Sequence, residues 1–371
     1  MSNKDKKYYF IYIFWLLFFI LLTNQHYNFN EIININQLDS VSYMEIANNS
    51  PYYSSEILTY HHAQRFFFPY LIGIFSNVSN LEVFQSFKIF TLITLLLIIY
   101  IHFLILKKLK IDLFFSILSV SLLVLNPYIF RYFIAVPTMI NDTIFILSIY
   151  LFLFGIKFKN NYTLLSIFLS LISRQNGIFL FLANFINLYF IYKNEFIKSK
   201  NFILSILVLI FTFYISNHYA SEVSIERFKY KHIYGIFEWV LVKWNFFEFI
   251  SWSFLSFYSY LPIIFIFLVY RKFKNFQKKD LKDHIVLIFL FFTIIGMPFL
   301  SGPDLAGRNI IRLTTLAYPI ILVWMLYFLD TKNKNFNKSL QIILIFILHI
   351  WSLHPTYSNI PLFSSLRDYL F

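Results

Sequence analysis

The chain has 371 residues, of which 59% are hydrophobic and 22% aromatic, while charged residues make up only 13%, about half the share typical of a soluble domain. Mean hydropathy is +0.66 and the formal net charge +13. The absence of cysteine excludes disulfides, thiol catalysis and thiolate metal sites. The lysines fall in short clusters between apolar runs, which is the pattern of membrane topology rather than of nucleic-acid binding.

Apolar runs recur along the whole length, and they are continuous rather than alternating, as expected of spanning helices and not of a barrel. The first follows the basic start "MSNKDKKYYF"; "LLTNQHYNFNE" after it has no small-residue cleavage pattern, so it reads as a retained signal-anchor. In chain order, spans are expected near 8–23, 84–106, 112–128, 143–157, 162–174, 177–192, 202–216, 247–270, 284–300, 310–329 and 339–352. The pair within 162–192 is short and reads equally as a re-entrant hairpin. The expected fold is an all-α polytopic membrane bundle of about eleven helices. Residues 1–371 form one transmembrane domain, with juxtamembrane helices in a first outer loop at 24–83 and no separate soluble domain.

Lysine clusters at 4–7, 107–110, 157–159, 193–200, 271–282 and 332–338 all fall on one side when the N-terminus is placed inside, in agreement with the positive-inside rule. The expected setting is a bacterial inner membrane, with the N-terminus inside and the C-terminus outside. The arginines behave differently. Arg271 is inside, whereas Arg65, Arg131, Arg174, Arg227, Arg308, Arg312 and Arg367 all fall on the outer half. Arginine is the better bidentate partner for phosphate and carboxylate, so any chemistry is expected to face outward.

The first outer loop gathers Asp39, Glu45, Glu56, His61, His62 and Arg65. "DSVSYMEIANNSP" reads as a short amphipathic helix opened by Asp39 as its N-cap, and "QRFFFPYLIGIF" as an interfacial helix with Pro69 near its start. Asp39 is then either a cap or a chemical carboxylate. Adjacent side chains diverge on a helix, so a single metal using both His61 and His62 is not expected. Arg65 is either a headgroup-snorkelling side chain or a phosphate ligand. Further on, "SNHYASEVSIERFKYKHIYGIFEWVLVKWNFFE" reads as an aromatic interface belt, with Tyr234, Trp239 or Trp244 as stacking surfaces for a sugar.

A first helix, an outer loop with an early acid followed by Tyr43 and Ala47 on the next turns, and then "HHAQRFFFPYL" with Arg65 and Pro69 together resemble the GT-C superfamily of membrane glycosyltransferases. "VPTMINDTIFILSIYLFLFG" resembles that family's second outer loop, placing an acid at Asp142. "LLSIFLSLISRQNGIFLFL" is similar to its short helical pair broken by an arginine, here Arg174. "GPDLAGRNIIRLTTLAYPIILVW" is similar to its later outer loop, here Arg308, Arg312, Tyr318 and Pro319. The likeness runs through most of residues 8–330 and lies in the order of segments rather than in any one motif. The metal-dependent branch carries paired acids, and no D-x-D occurs on this outer half, which leaves a divalent metal open and no cofactor assigned.

The resemblance implies transfer of a sugar from a polyprenyl-phosphate donor to an acceptor glycan, lipid or protein, on the outer face of the bilayer. Asp39 or Asp142 then serves as base, its pKa tuned upward by partial desolvation. Tyr43, His61, His62, Arg65, Arg174, Arg308 and Arg312 hold the lipid phosphate. Arg308 and Arg312 share a helical face at i, i+4. Arg312 within an apolar run demands an anion or an acid, and pairing with Asp142 or Asp304 would also satisfy it. The alternatives are an O-antigen polymerase or ligase-like enzyme, and a lipid-linked sugar flippase, which would show broken helices in matching halves.

Overall fold

The computed structural model describes residues 3–24, 37–158, 161–224, 246–269, 281–306, 310–328 and 338–353. Among them the secondary structure is entirely helical, with no strand. Six helical segments are long and apolar enough to cross a bilayer: Asp5–Thr23, Val83–Leu109, Leu113–Ala135, Pro137–Phe158, Lys200–Val223 and Leu281–Phe299. The architecture is that of a multi-pass membrane protein.

Helix α1 (Asn3–Thr23) leads to the loop helices α2 (Gln37–Asn49), α3 (Tyr60–Ala63) and α4 (Phe67–Ser79). Next come α5 (Val83–Leu109) and α6 (Leu113–Val124), the latter capped by Asp112, whose carboxylate accepts from the Phe115 amide at 2.7 Å. A π-helical turn (Pro127–Arg131), the short α7 (Tyr132–Ala135) and a 3-10 turn (Pro137–Met139) carry the chain into α8 (Ile140–Phe158). Helix α8 is buried on every side from Ile140 to Ile156, its polar residues Asn141, Asp142, Thr143 and Ser148 included, and it packs against α5 and the helices that follow it. By contrast, α1, α5 and Lys200–Val223 expose rows of Phe, Leu and Ile side chains, the continuous apolar surface that lipid requires.

The pair expected at 162–192 forms α9 (Asn161–Ser173) and α10 (Ile178–Tyr192). At 1.5 Å per residue each is about 20 Å long, short of a roughly 30 Å hydrocarbon core. Their turn is tight because residue 177 is glycine: a Cβ there would lie 2.3 Å from the Ser170 carbonyl carbon. Helix α11 (Lys200–Val223) follows, opened by Ser199, whose hydroxyl accepts from the Phe202 amide.

Two expected spans are not single helices. The run at 247–270 breaks into α12 (Phe246–Tyr258) and α13 (Leu261–Val269). After α14 (Leu281–Ala306), the run at 310–329 breaks into α15 (Ile310–Thr315) and α16 (Tyr318–Phe328), with Pro319 at the start of α16, where a missing amide costs least. The last described helix is α17 (Lys338–Ser352). The two breaks lie side by side and satisfy each other's polar groups. The Tyr260 hydroxyl donates to the Thr314 carbonyl at 2.5 Å, and the Thr314 hydroxyl to the Ser256 carbonyl at 3.2 Å. The Thr315 and Ser259 hydroxyls meet at 3.2 Å. Backbone groups freed inside a bilayer have no water to turn to, and here carbonyls at each break accept from side-chain hydroxyls of the other.

The two ends of the bundle are chemically different. At one, Lys157 near the end of α8 pairs with Asp283 in the first turn of α14 and lies over the Tyr327 ring. At the other, α2, α3 and α4 pack over the helix ends. Gly73 of α4 lets that helix approach α2 so closely that a Cβ would fall 2.1 Å from the Ala47 carbonyl oxygen. Tyr60 and Gln64 both donate to Asn217 of α11, at 2.9 and 2.7 Å. Buried Arg131 ties the π-helical turn to Asn24, where the loop begins, at 3.3 Å and to Ser352 at 3.1 Å, so it secures the bundle.

Candidate active site

Asp39 is the third residue of α2 rather than its N-cap. Its carboxylate turns away from the helix end: Oδ1 lies 2.6 Å from His62 Nε2, and Oδ2 accepts from Arg312 Nη2 at 3.1 Å. The reading of Asp39 as a cap is therefore corrected. The helix begins two residues earlier, at Gln37, and the side chain is left free for tertiary pairing. His62 is buried and held on its other side by the Ser42 hydroxyl, 3.1 Å from Nδ1. Ser42 is one turn along α2 from Asp39, so a single helix face presents both groups to the same ring.

Asp142 sits in the first turn of α8, where the helix dipole favours a negative charge. It forms a buried ion pair with Arg174, at the tip of the α9–α10 hairpin, and lies 3.7 Å from Arg312 Nη1. Arg312 thus stands between two carboxylates, and its Nη1 also approaches the Met139 sulfur at 3.0 Å. Arg65 donates through Nε to Gln175 Oε1 at 2.8 Å and through Nη1 to the Tyr43 hydroxyl at 3.3 Å, while its carbonyl accepts from Asn141. Gln175 in turn donates to the His61 carbonyl and to Gln64, at 3.0 and 2.9 Å.

Asp39, Tyr43, His61, His62, Arg65, Asp142, Arg174 and Arg312, picked out from the sequence, thereby fall into one connected cluster at the loop-bearing end. Arg308 lies outside the described residues, as do Arg227, Arg367, Tyr234, Trp239 and Trp244. The expectation that Arg312 would be matched by an acid is met twice over, by Asp39 and by Asp142. Sequence reasoning missed Gln175, Ser42 and Gln64. Gln175 had a signal, a polar "RQN" triplet at the junction of two apolar helices; the others had none beyond position.

The two carboxylates differ in accessibility. The Asp142 side chain is 3% exposed, the Asp39 side chain 21%, so only Asp39 can meet a ligand without rearrangement. Burial alone would push the Asp39 carboxyl up. The hydrogen bond with His62 and the charges of Arg312, His62 and Arg65 outweigh it and hold the group well below the usual carboxylate range. This corrects the expected upward tuning: three neighbouring cationic or hydrogen-bonding groups act against one desolvation cost.

Among the described residues, two clefts flank the cluster. One, about 280 Å³, has Gln64, Arg65, Arg174 and Gln175 at one part of its wall and Leu171, Ile178, Leu209 and Phe213 along the rest. The other, about 340 Å³, opens on a different face of α2, between Ser40, Val41, Met44 and Glu45 on one side and Phe84, Val136 and Thr138 on the other. Comparison of the chain with protein-family models, with curated proteins and with solved structures returned no match.

Proposed function

We propose that the protein is a membrane glycosyltransferase that moves a sugar from a polyprenyl-phosphate donor to an acceptor at the loop-bearing end of the bundle. One observation carries this reading: a cleft with two arginines at its polar part and an apolar wall beyond them, next to the only partly exposed carboxylate of the cluster. That is the complement of an amphiphile with a phosphate head. Segment order resembling the GT-C superfamily supports the same conclusion.

In this reading Arg65 and Arg174 hold the donor phosphate, and the lipid chain follows Leu171, Ile178, Leu209 and Phe213. Asp39 accepts a hydrogen bond from the acceptor hydroxyl. The acceptor oxygen forms a bond to the anomeric carbon as the bond from that carbon to the phosphate oxygen breaks. The acceptor proton passes to Asp39, and polyprenyl phosphate leaves with the electron pair, its charge met by the guanidinium groups. A strongly acidic Asp39 is a weak base in the resting site. Donor phosphate competing for Arg65 relaxes part of the charge that holds it down, so the carboxylate gains basicity once the donor is bound. Buried Asp142 anchors Arg174 and Arg312 rather than touching substrate.

A lipid-linked sugar flippase is the second reading, favoured by the interrupted helices α12–α13 and α15–α16. Transporter breaks expose backbone to a substrate cavity, whereas these breaks are closed against each other by Tyr260, Thr314 and Thr315. The deciding experiment is transfer of radiolabelled sugar from polyprenyl-phosphate donors in proteoliposomes, comparing the native chain with Asp39→Asn. Transfer by the native chain and its loss in a folded Asp39→Asn variant support the transferase. Movement of donor across the bilayer without transfer overturns it in favour of the flippase.

A further inference from the structure

Three side chains at the mouth of the site bring metal-ligating atoms together; in the resting site Asp39 Oδ1 and His62 Nε2 meet each other at 2.6 Å, the contact a cation would replace. Asp39, His61 and His62 each offer one donor, and the three donor atoms lie within 4.8 Å of one another. Adjacent histidines diverge on a regular helix. Here they occupy a single isolated turn, in which the Thr59 carbonyl accepts from both the His62 and Ala63 amides, and their ring centres are only 4.0 Å apart with planes inclined at 58°.

The surroundings are those of a metal site. Ser42 lies 3.1 Å from His62 Nδ1, which orients the ring and directs Nε2 toward Asp39, the role an outer hydrogen-bond partner plays for a ligating histidine. Arg312 holds Asp39 Oδ2 and leaves Oδ1 facing His62, so the carboxylate is set up to bind through one oxygen. The counterweight is the positive charge of Arg65, which acts on both Asp39 and His61, and that of Arg312. The latter is shared with Asp142, 3.7 Å away, which lowers the repulsion a dication would meet.

We infer that Asp39, His61 and His62 form a binding site for a transition-metal dication of the zinc type. Two imidazoles and one carboxylate select zinc, cobalt or nickel over magnesium or calcium, which take oxygen ligands. Three protein ligands leave a fourth position open, as in catalytic zinc sites. An anionic oxygen of a bound phosphate is the chemistry that position would take. This site stands independently of the transferase reading, because the metal can bind whether or not sugar is transferred.

The test uses tag-free, chelator-stripped full-length protein in detergent, equilibrated with zinc, desalted and measured for metal content, with cobalt absorption as a second readout. About one equivalent is expected in the native chain, with the visible bands of a nitrogen- and oxygen-ligated cobalt ion. His61→Ala, at an exposed position, should weaken binding at least tenfold while leaving thermal unfolding unchanged. Ser42→Ala should weaken it roughly tenfold through the outer hydrogen bond. Metal content far below one equivalent, or equal content in His61→Ala, overturns the site. Sugar transfer by a chain that takes up no zinc would remove the site and keep the transferase, and zinc binding without transfer would do the reverse.

Discussion

Arg312 Nη2 reaches Asp39 Oδ2 at 3.1 Å although 273 positions separate the two residues. The contact closes a chain of charges in which Asp39, Arg312, Asp142 and Arg174 alternate in sign. Removing one member of such a buried set leaves its partner uncompensated, which costs roughly 3–5 kcal/mol. Arg312→Met is therefore expected to lower the unfolding temperature sharply in detergent, and Arg312→Lys to recover only part, because a point charge cannot serve two carboxylates as a planar fork does.

The Asp142–Arg174 pair is expected to show strong coupling. Asp142→Asn and Arg174→Met should each destabilise, while the double variant should be less unstable than the sum of the two. A double-mutant cycle by chemical unfolding is expected to give a coupling of about 1–3 kcal/mol. Additive effects would mean that the pair contributes nothing beyond its separate contacts.

Acid should weaken the fold through Asp39. Its carboxyl is held below its unfolded value, so its contribution is fully present above the unfolded pKa of about 4 and is lost as the pH falls further. Unfolding temperature measured between pH 7 and pH 3 should drop below about pH 4 in the native chain, and that part of the drop should be absent in Asp39→Asn.

The seam between α2 and α4 has no room for a methyl group. With a Cβ at residue 73 only 2.1 Å from the Ala47 carbonyl oxygen, Gly73→Ala must push the two helices apart, an overpacking cost of about 1–3 kcal/mol. Proteolysis within residues 50–60 should quicken in this variant if the seam opens as expected.

Tyr260→Phe tests the paired helix breaks. Losing the hydroxyl leaves the Thr314 carbonyl with one donor fewer in an apolar setting, at a cost of about 1–3 kcal/mol. An unchanged unfolding temperature would show that the break at 316–317 is held by other contacts.

Hydropathy made the helical membrane architecture legible, because the apolar runs are continuous and the lysine clusters fall between them. It could not resolve the breaks. A window of some twenty residues averages across Ser259–Tyr260 and across Leu316–Ala317, so a kink sealed by side-chain hydrogen bonds looks like an uninterrupted span. The site residues were legible one by one as charges out of place in apolar surroundings, Arg312 most plainly. Their pairing was not, since nothing local to Asp39 names Arg312 as its partner. For His61 and His62 the rule for regular helices pointed to diverging rings, and a one-turn helix escapes that rule, with ring centres 4.0 Å apart.

The separation of Asp39 from Arg312 also fixes an order of events during synthesis. Asp142 and Arg174 lie 32 positions apart and can neutralise each other while the chain is still short. Asp39 must wait for residue 312, roughly 14–55 s later at ordinary elongation rates. Until then it has His62 within its own loop as its neighbour. A nascent chain stopped before α15 therefore carries a settled hairpin and an unfinished carboxylate, and the site is among the last features of the protein to be made.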